Sequence, residues 1–243
     1  MTTRLYCPLP LATGATVDLP EAAAHHAARV LRLNSGDELT LFNGEGGEFA
    51  ARIVRVDARA VTVDVGEFRA NERESPLVVT LIQGLATGDR MDYAIQKAVE
   101  LGVAAVQPVT TVRSVARLDA RRAEKRILHW RQIAISACEQ CGRNRIPAVL
   151  PLRDLDDWLV ASTGASLRLL LAPDARGALA GMTRPAGSIE FLVGPEGGLA
   201  PEEMAAALRA GFTAVRLGPR VLRTETAALA ALAALNMLWG DWR

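Results

Sequence analysis

Cysteine and histidine are scarce in this chain, with three of each among 243 residues. A small, odd number of cysteines argues against a disulfide framework and is typical of a reducing compartment. No apolar run approaches the roughly eighteen residues that a membrane span requires. The N-terminus, with Arg4, Pro8 and Pro10, lacks the charged and then apolar pattern of a secretion signal. These absences predict a cytoplasmic protein with no membrane partner.

A large excess of charge is also missing, since the formal net charge is only +1. Basic residues are nevertheless concentrated between residues 113 and 145, a segment that contains nine Lys or Arg and only three Asp or Glu. Such a segment is either a phosphate-binding face or an ordinary solvated helix flank. Arginines in predicted loops on both sides of the helix favour RNA. The predicted RNA-binding residues are Arg29, Arg32, Arg113, Arg117, Arg121, Arg143 and Arg145.

A CxxC pattern at Cys138 and Cys141 raises the question of a metal or redox site. A zinc site needs two further ligands at comparable spacing, and the remaining cysteine and histidines do not supply them. A redox motif would begin a helix, whereas this one ends the predicted helix 120–139. The sequence therefore predicts no metal.

The pattern of short strands changes near residues 71–76. Residues 1–70 contain closely spaced β-patterns at 38–42, 48–56 and 60–65 and one short helix at 21–32, which indicates a small barrel. The polar stretch 71–76, which ends in Pro76, is typical of a linker. Residues 77–243 alternate strands with helices, and this alternation predicts a parallel sheet covered on both faces.

Two glycine-containing loops stand out in the second part. Gly194-Pro195-Glu196-Gly197-Gly198 follows an apolar strand and precedes a helix, and a type I turn is predicted with Pro195 second and Gly197 fourth. The second loop begins after a short strand at about 213–217 and precedes an apolar helix predicted over 226–239. Two loops at the carboxyl ends of parallel strands predict a ligand crevice.

These loops closely resemble the cofactor-binding loops of the SPOUT methyltransferases. The wording GPEGG followed by LGPRVLRTETAALAAL resembles the ribosomal RNA small subunit methyltransferase E family, as do three stretches beginning at Gln96, Thr111 and Glu139. The resemblance runs nearly end to end. It implies a PUA-like β-barrel, a C-terminal α/β domain with a trefoil knot, a homodimer, and methylation of uridine N3 in 16S rRNA of the small ribosomal subunit.

The implied cofactor is S-adenosyl-L-methionine. Glycine loops and apolar side chains suit an adenine, and backbone groups at Gly198, Leu217 and Leu222 suit its hydrogen bonds. The predicted cofactor-binding residues are Leu192, Gly194, Pro195, Glu196, Gly197, Gly198, Leu217, Gly218, Val221, Leu222, Arg223, Thr224 and Thr226.

Methylation at N3 requires loss of a proton and stabilisation of the charge that then spreads onto O2 and O4. Arg223 or Arg145 is the candidate for charge stabilisation, and Glu225 or Glu139 for the proton. Thr224 is also a good N-cap for the last helix. Three alternatives stay open: a SPOUT enzyme acting on another RNA nucleotide, a non-catalytic RNA-binding assembly factor, and a phosphate-loop enzyme. The missing GxxxxGK[ST] pattern disfavours the last.

Overall fold

The computed structural model describes residues 2–57, 60–115, 118–161 and 164–242. The chain folds into two compact units. Unit 1 comprises Met1–Glu74 and Ile135–Ile146, and unit 2 comprises Ser75–Ala134 and Pro147–Arg243. The predicted limits 1–70, 71–76 and 77–243 did not anticipate that residues 135–146 belong with the N-terminal residues.

Unit 1 is built on a five-stranded sheet. Its strands are β1 (Thr3–Tyr6), β2 (Thr16–Asp18), β3 (Glu38–Phe42), β4 (Glu48–Val56) and β5 (Val61–Arg69), in the order β1-β3-β4-β5-β2. Strands β3, β4 and β5 form an antiparallel meander, and β1 joins β3 in parallel. Leu5, Leu41, Ile53 and Val63 lie in its core and are at most 1% exposed. Strands β1 and β2 were not predicted, because both are short and only weakly alternating.

Helix α1 (Glu21–His25) packs on the core of unit 1 and continues as a π-helical turn over His26–Val30. The predicted helix 21–32 is therefore present but changes its hydrogen-bonding pattern at His26. Ala23, Ala24 and Ala27 pack into the core.

Residues 135–146 belong to unit 1 because polar side chains from this segment are buried against other residues of the unit. Asn144 is fully buried and donates to the carbonyl oxygen of Asn71 at 2.6 Å, while Arg4 donates to its Oδ1. Arg4 also pairs with the buried carboxylate of Glu48. Burial by itself raises the pKa of Glu48, but hydrogen bonds from Asn71 and Arg4 outweigh it and leave that pKa lowered. The buried carboxylate is therefore ionised and fully paired.

Unit 2 contains a parallel sheet, which confirms the predicted α/β class. Its strands are β6 (Val79–Gly84), β7 (Ala105–Thr110), β8 (Ala148–Val149), β10 (Leu167–Leu171), β11 (Gly177–Ala178), β12 (Ile189–Val193) and β13 (Thr213–Arg216), with β9 (Arg153–Asp154) paired to β7. The order is β11-β13-β10-β12-β6-β7-β8, and every pair is parallel. The trefoil knot stays a prediction.

Five helices accompany this sheet: α2 (Asp89–Glu100), α3 (Ala120–Cys141), α4 (Leu155–Val160), α5 (Pro201–Arg209) and α6 (Thr224–Trp239). Helix α3 runs from unit 2 into unit 1 at Ile135. All five residues of β12 are buried, as expected for a central strand of a covered parallel sheet. Even Glu190 is buried there, because Arg168 of β10 pairs with its carboxylate at 2.7 Å. None of the described helices combines the length and hydrophobicity that a membrane span needs.

The CxxC cysteines lie in the last turn of α3 and form no disulfide. Burial raises the pKa of Cys138 to about 12, so this thiol stays protonated near neutral pH and is a poor metal ligand or nucleophile. Among the described residues, no group of three or more His, Cys, Asp or Glu is placed to hold a metal ion.

Candidate cofactor-binding site

The carboxyl ends of three neighbouring strands meet at one edge of the unit 2 sheet. Strands β13, β10 and β12 are adjacent and parallel, so the segments that follow them converge. Between these segments lies a cavity of about 610 Å³. This volume is within the range of small-molecule and cofactor sites.

Most of the predicted cofactor-binding residues line this cavity. They are Gly194, Pro195, Glu196, Gly197, Gly198, Leu217, Gly218, Val221, Leu222, Arg223 and Thr224. The structure places the other two elsewhere. Leu192 is fully buried in the hydrophobic core beneath the sheet edge, and Thr226 is exposed on α6. Val193, the next residue of β12, lines the cavity instead of Leu192.

The turn in the first loop is one residue later than predicted. The amide of Gly198 donates to the carbonyl oxygen of Pro195 at 2.9 Å, so Pro195 is the first turn residue and Gly198 the fourth. Gly198 adopts φ +67°, a conformation in which a residue with a Cβ is strained. The second glycine of the pair is therefore required by the backbone.

Strand β6 closes the back of this loop through Gly84. A Cβ on Gly84 would lie 2.5 Å from the nitrogen of Pro195 and 2.8 Å from the carbonyl carbon of Gly194. Both are backbone atoms that cannot move aside cheaply. Glycine at the end of β6 is thus what lets the first loop pack directly on the neighbouring strand.

Thr224 joins the two predicted loops. Its hydroxyl accepts a hydrogen bond from Nε2 of the buried Gln83 at 2.8 Å and donates to the carbonyl oxygen of Gly194 at 2.6 Å. The N-cap prediction for Thr224 is wrong: α6 begins at Thr224 and Arg223 is its N-cap residue. The hydroxyl is not used for capping because it is buried against the first loop.

Glu196 fastens the first loop to the segment that precedes α2. One of its carboxylate oxygens accepts from the amide of Thr87 at 2.9 Å, from the Thr87 hydroxyl at 2.7 Å and from Arg90 at 2.9 Å. Burial by itself raises the pKa of Glu196, but the bonds from Thr87 and Arg90 outweigh it and lower that pKa to about 2. Glu196 is therefore an ionised anchor.

The two predicted catalytic residues of the second loop also line the cavity. Arg223 is exposed at the start of α6, and Glu225 lies in the first turn. Oε2 of Glu225 is buried and has no hydrogen-bond partner within the described part of the chain. A buried carboxylate oxygen without a donor is costly, so this atom is suited to accept a bond from a ligand.

The other two predicted catalytic residues belong to unit 1. Glu139 accepts from the amide of Tyr6 at 2.9 Å and lies 3.8 Å from Nδ1 of His26. Burial raises the pKa of Glu139 despite the opposing effects of Tyr6, His26 and Arg4. Arg145 is 55% exposed and lies 3.6 Å from Glu72. Neither residue lines the cavity.

The predicted RNA-binding arginines differ in their exposure. Arg29 and Arg32 are exposed in unit 1, and Arg113 and Arg121 are exposed in unit 2. Arg143 is only 4% exposed because its guanidinium pairs with the carboxylate of Glu74, which argues against direct contact with RNA. Arg117 lies outside the described residues.

The sequence interpretation missed one whole wall of the cavity and several of its charged residues. The segment that follows β10 forms this wall. Its position directly after a strand of the parallel sheet is the sequence feature that could have identified it. Arg113, predicted only for RNA, is on the rim as well, and its guanidinium donates to the carbonyl oxygen of Gly197 at 3.0 Å. The lining residues outside the predicted cofactor-binding set are Arg90, Arg113, Leu170, Leu171, Ala172, Pro173, Asp174, Val193, Leu199, Pro201, Met204, Arg220, Glu225 and Ala227.

Both parts of the chain match known protein families. Residues 73–236 match the RNA methyltransferase domain family, and residues 19–66 match the RNA methyltransferase PUA domain family. The ribosomal RNA small subunit methyltransferase E of Bacillus subtilis is 33% identical over 240 residues, which cover 93% of each chain.

Two solved structures are closely similar. The ribosomal RNA small subunit methyltransferase E of Neisseria gonorrhoeae, bound to S-adenosyl methionine, has a TM-score of 0.93 and 42% identity over the whole of both chains. A methyltransferase of Legionella pneumophila in complex with the same cofactor has a TM-score of 0.96 and 39% identity over 99% of both chains. The chain therefore belongs to the ribosomal RNA small subunit methyltransferase E family of RNA methyltransferases.

Proposed function

We propose that this protein uses S-adenosyl-L-methionine to methylate N3 of a uridine in the 16S rRNA of the small ribosomal subunit. The main observation is the cavity at the carboxyl ends of β10, β12 and β13, lined by both glycine loops. Family membership and the cofactor named for the two solved structures support the same proposal.

The residues of the cavity fit this cofactor. Leu170, Val193 and Leu199 offer apolar walls for an adenine, and the backbone at Leu217 and Leu222 offers hydrogen-bonding groups. The absence of a Cβ at Gly84 lets the first loop pack directly on β6, which fixes one wall of the cavity. The carboxylate of Glu196 is already bonded to Thr87 and Arg90, so we assign it the role of holding the loop.

For the chemical step we favour Glu225 and Arg223 over Glu139 and Arg145, because the first pair lines the cavity. The bound cofactor supplies a transferable methyl group. Glu225 would take the proton from N3 through its unpartnered oxygen, which leaves the N3 lone pair free to accept the methyl group that the cofactor would supply. Arg223 stabilises the negative charge that spreads onto O2 and O4 of the base.

RNA recognition is assigned to exposed arginines. We retain Arg29, Arg32, Arg113, Arg121 and Arg145, and we leave out the buried Arg143. Arg117 stays a prediction from the sequence. Since N3 lies on the Watson–Crick edge, the target base must be unpaired or turned out of its stack to reach the cavity.

We also propose a homodimer that uses the open face of α6. Ala227, Ala231 and Leu235 are buried on one side of this helix, whereas Met237 on the other side is 58% exposed. An apolar helix with an exposed apolar face is suited to a two-fold contact.

Calorimetry with S-adenosyl-L-methionine tests the cofactor. Gly218 adopts φ +77° on the cavity wall, so Gly218→Val strains the second loop and should weaken binding at least tenfold. Gly14→Val is the control, since Gly14 has φ +84° in unit 1 and does not line the cavity. Equal affinities in wild type and Gly218→Val would contradict the assignment.

Mass spectrometry of nuclease-digested 16S rRNA tests the product. Cells that lack the gene should lack one 3-methyluridine, and the wild-type gene should restore it. Glu225→Gln keeps the shape of the side chain but cannot take the proton. It should therefore form 3-methyluridine at no more than about 1% of the initial rate of the wild-type protein. Persistence of 3-methyluridine in the deletion, or loss of a different modified nucleoside, would favour the alternative of another RNA nucleotide.

A further inference from the structure

The loop Thr111–Val115 is hydrogen-bonded to the first loop at Gly197 and to the following helix α5 at Glu203. The guanidinium of Arg113 donates to the carbonyl oxygen of Gly197 at 3.0 Å. The amide of Val112 donates to Glu203 at 2.8 Å, and the other oxygen of Glu203 accepts from the amide of Ala200 at 2.7 Å. A displacement of either loop therefore strains hydrogen bonds to the other.

The same loop faces solvent. Arg113 is exposed, and its neighbours Val112 and Val115 are each 74% exposed. The bond to Gly197 uses one terminal nitrogen of a guanidinium that has five N–H donors, so a phosphate can be bound by the remaining donors at the same time.

We propose that Arg113 couples RNA binding to cofactor binding by contacting an RNA phosphate and the cofactor loop simultaneously. This inference rests on the proposed function, and it adds a positioning role to a residue that the sequence assigned to RNA alone. Arg113 is distinct from the residues assigned to the chemical step.

The sign of the coupling follows from side-chain order. A long, exposed arginine side chain loses conformational freedom when it is held against Gly197. When an RNA phosphate holds Arg113, this conformational entropy has been lost before the cofactor binds. The cofactor then binds to a loop that is already ordered. Because linkage is reciprocal, the cofactor must strengthen RNA binding by the same factor.

Calorimetry measures this factor directly. S-adenosyl-L-methionine is titrated into the protein with and without an unmodified 16S rRNA transcript, in wild type, Arg113→Met and Arg121→Met. We expect wild type to bind the cofactor between about 5-fold and 150-fold more tightly when RNA is present. Arg113→Met should reduce this factor to about 1, since methionine keeps the aliphatic stem but has no donor.

Arg121→Met is the matched control, because Arg121 is an exposed arginine that does not line the cavity. It should weaken RNA binding but keep the wild-type coupling factor. Gly197→Ala provides a second approach, since its added Cβ would lie 3.2 Å from Cβ of Arg113, so that Arg113 must shift by a few tenths of an ångström; it too should reduce the factor.

The outcomes separate this inference from the proposed function. If wild type binds RNA and cofactor independently, or if Arg113→Met and Arg121→Met keep the same factor, Arg113 does not couple the two ligands and the function is unaffected. If wild type does not bind the transcript at all, the proposed RNA partner is wrong and the coupling is refuted with it.

Discussion

At the scale of single residues, the site depends on side chains that hold loops. Thr224 and Arg113 donate to two carbonyl oxygens of the first loop, those of Gly194 and Gly197, and Glu196 within that loop accepts hydrogen bonds from Thr87. None of these contacts is between neighbours in sequence. The first loop is therefore held by contacts from three different segments of the chain.

Thr224→Val tests the central contact. Valine keeps the shape of threonine but leaves the carbonyl of Gly194 and Nε2 of Gln83 each without one partner, so we expect a loss of about 1–3 kcal/mol in the free energy of unfolding. Chemical denaturation measures this loss. Thr226→Val, at an exposed position of the same helix, should change stability by less than about 0.5 kcal/mol. Equal effects of the two substitutions would contradict the role of the Thr224 hydroxyl.

The lowered pKa of Glu196 predicts that the free energy of unfolding depends on pH. Its pKa in the folded protein is about 2, below the usual 4.5, so its ionised form stabilises the fold above pH 4.5 and this contribution is lost as the pH falls toward 2. Glu196→Gln should therefore be less stable than wild type by roughly 1–3 kcal/mol near neutral pH, and the difference should shrink below pH 4.5.

Denaturant titrations from pH 7 down to pH 3 measure this difference. Glu202→Gln, at an exposed position of α5, is the control and should show a much smaller difference at every pH. If the difference in the free energy of unfolding between wild type and Glu196→Gln is constant over this range, the hydrogen bonds of Glu196 do not depend on its charge.

At the scale of elements, the sheet order brings the loops together. Strands β10, β12 and β13 are adjacent although 22 residues separate the paired positions Leu167 and Ile189. Only the parallel direction of all three places their carboxyl ends at one edge. Strand β6, next to β12, adds Gln83 and Gly84 behind the first loop.

Gly84→Ala tests this packing of strand on loop. The added methyl group would collide with backbone atoms of Gly194 and Pro195, so we expect a loss of roughly 1–3 kcal/mol in stability together with weaker cofactor binding. Gly181→Ala is the control, because a Cβ there meets nothing within 4 Å and its φ is ordinary. Unchanged stability and affinity in Gly84→Ala would show that the loop can shift without cost.

At the scale of the whole molecule, the proposed assembly rests on the open face of α6. Met237→Asp places a charge in that face, and we expect it to convert a dimer into a monomer of 26.0 kDa, as measured by light scattering at micromolar concentration. Val160→Asp introduces the same charge at a position that is 88% exposed on α4 and should leave the mass unchanged. A monomeric wild type would contradict the proposal.

The class of fold, the family and both glycine loops of the cavity could be predicted from the sequence alone. Strand and helix patterns depend on local periodicity, and the two glycine loops are contiguous in the chain, so both could be recognised without coordinates. The third wall after β10 could not be recognised, because Leu170 and Asp174 join the cavity only through the pairing of β10 with β12 and β13.

The roles of individual polar residues follow from the folded structure and could not be predicted from the sequence. Arg143 and Arg113 look alike in sequence, yet burial against Glu74 makes the first structural, and exposure beside Gly197 places the second on the cavity. Thr224 looked like a helix cap and instead bonds to Gln83 and Gly194. The physical reason is that local preference depends on near neighbours, whereas burial and hydrogen-bond partners depend on residues far apart in the chain.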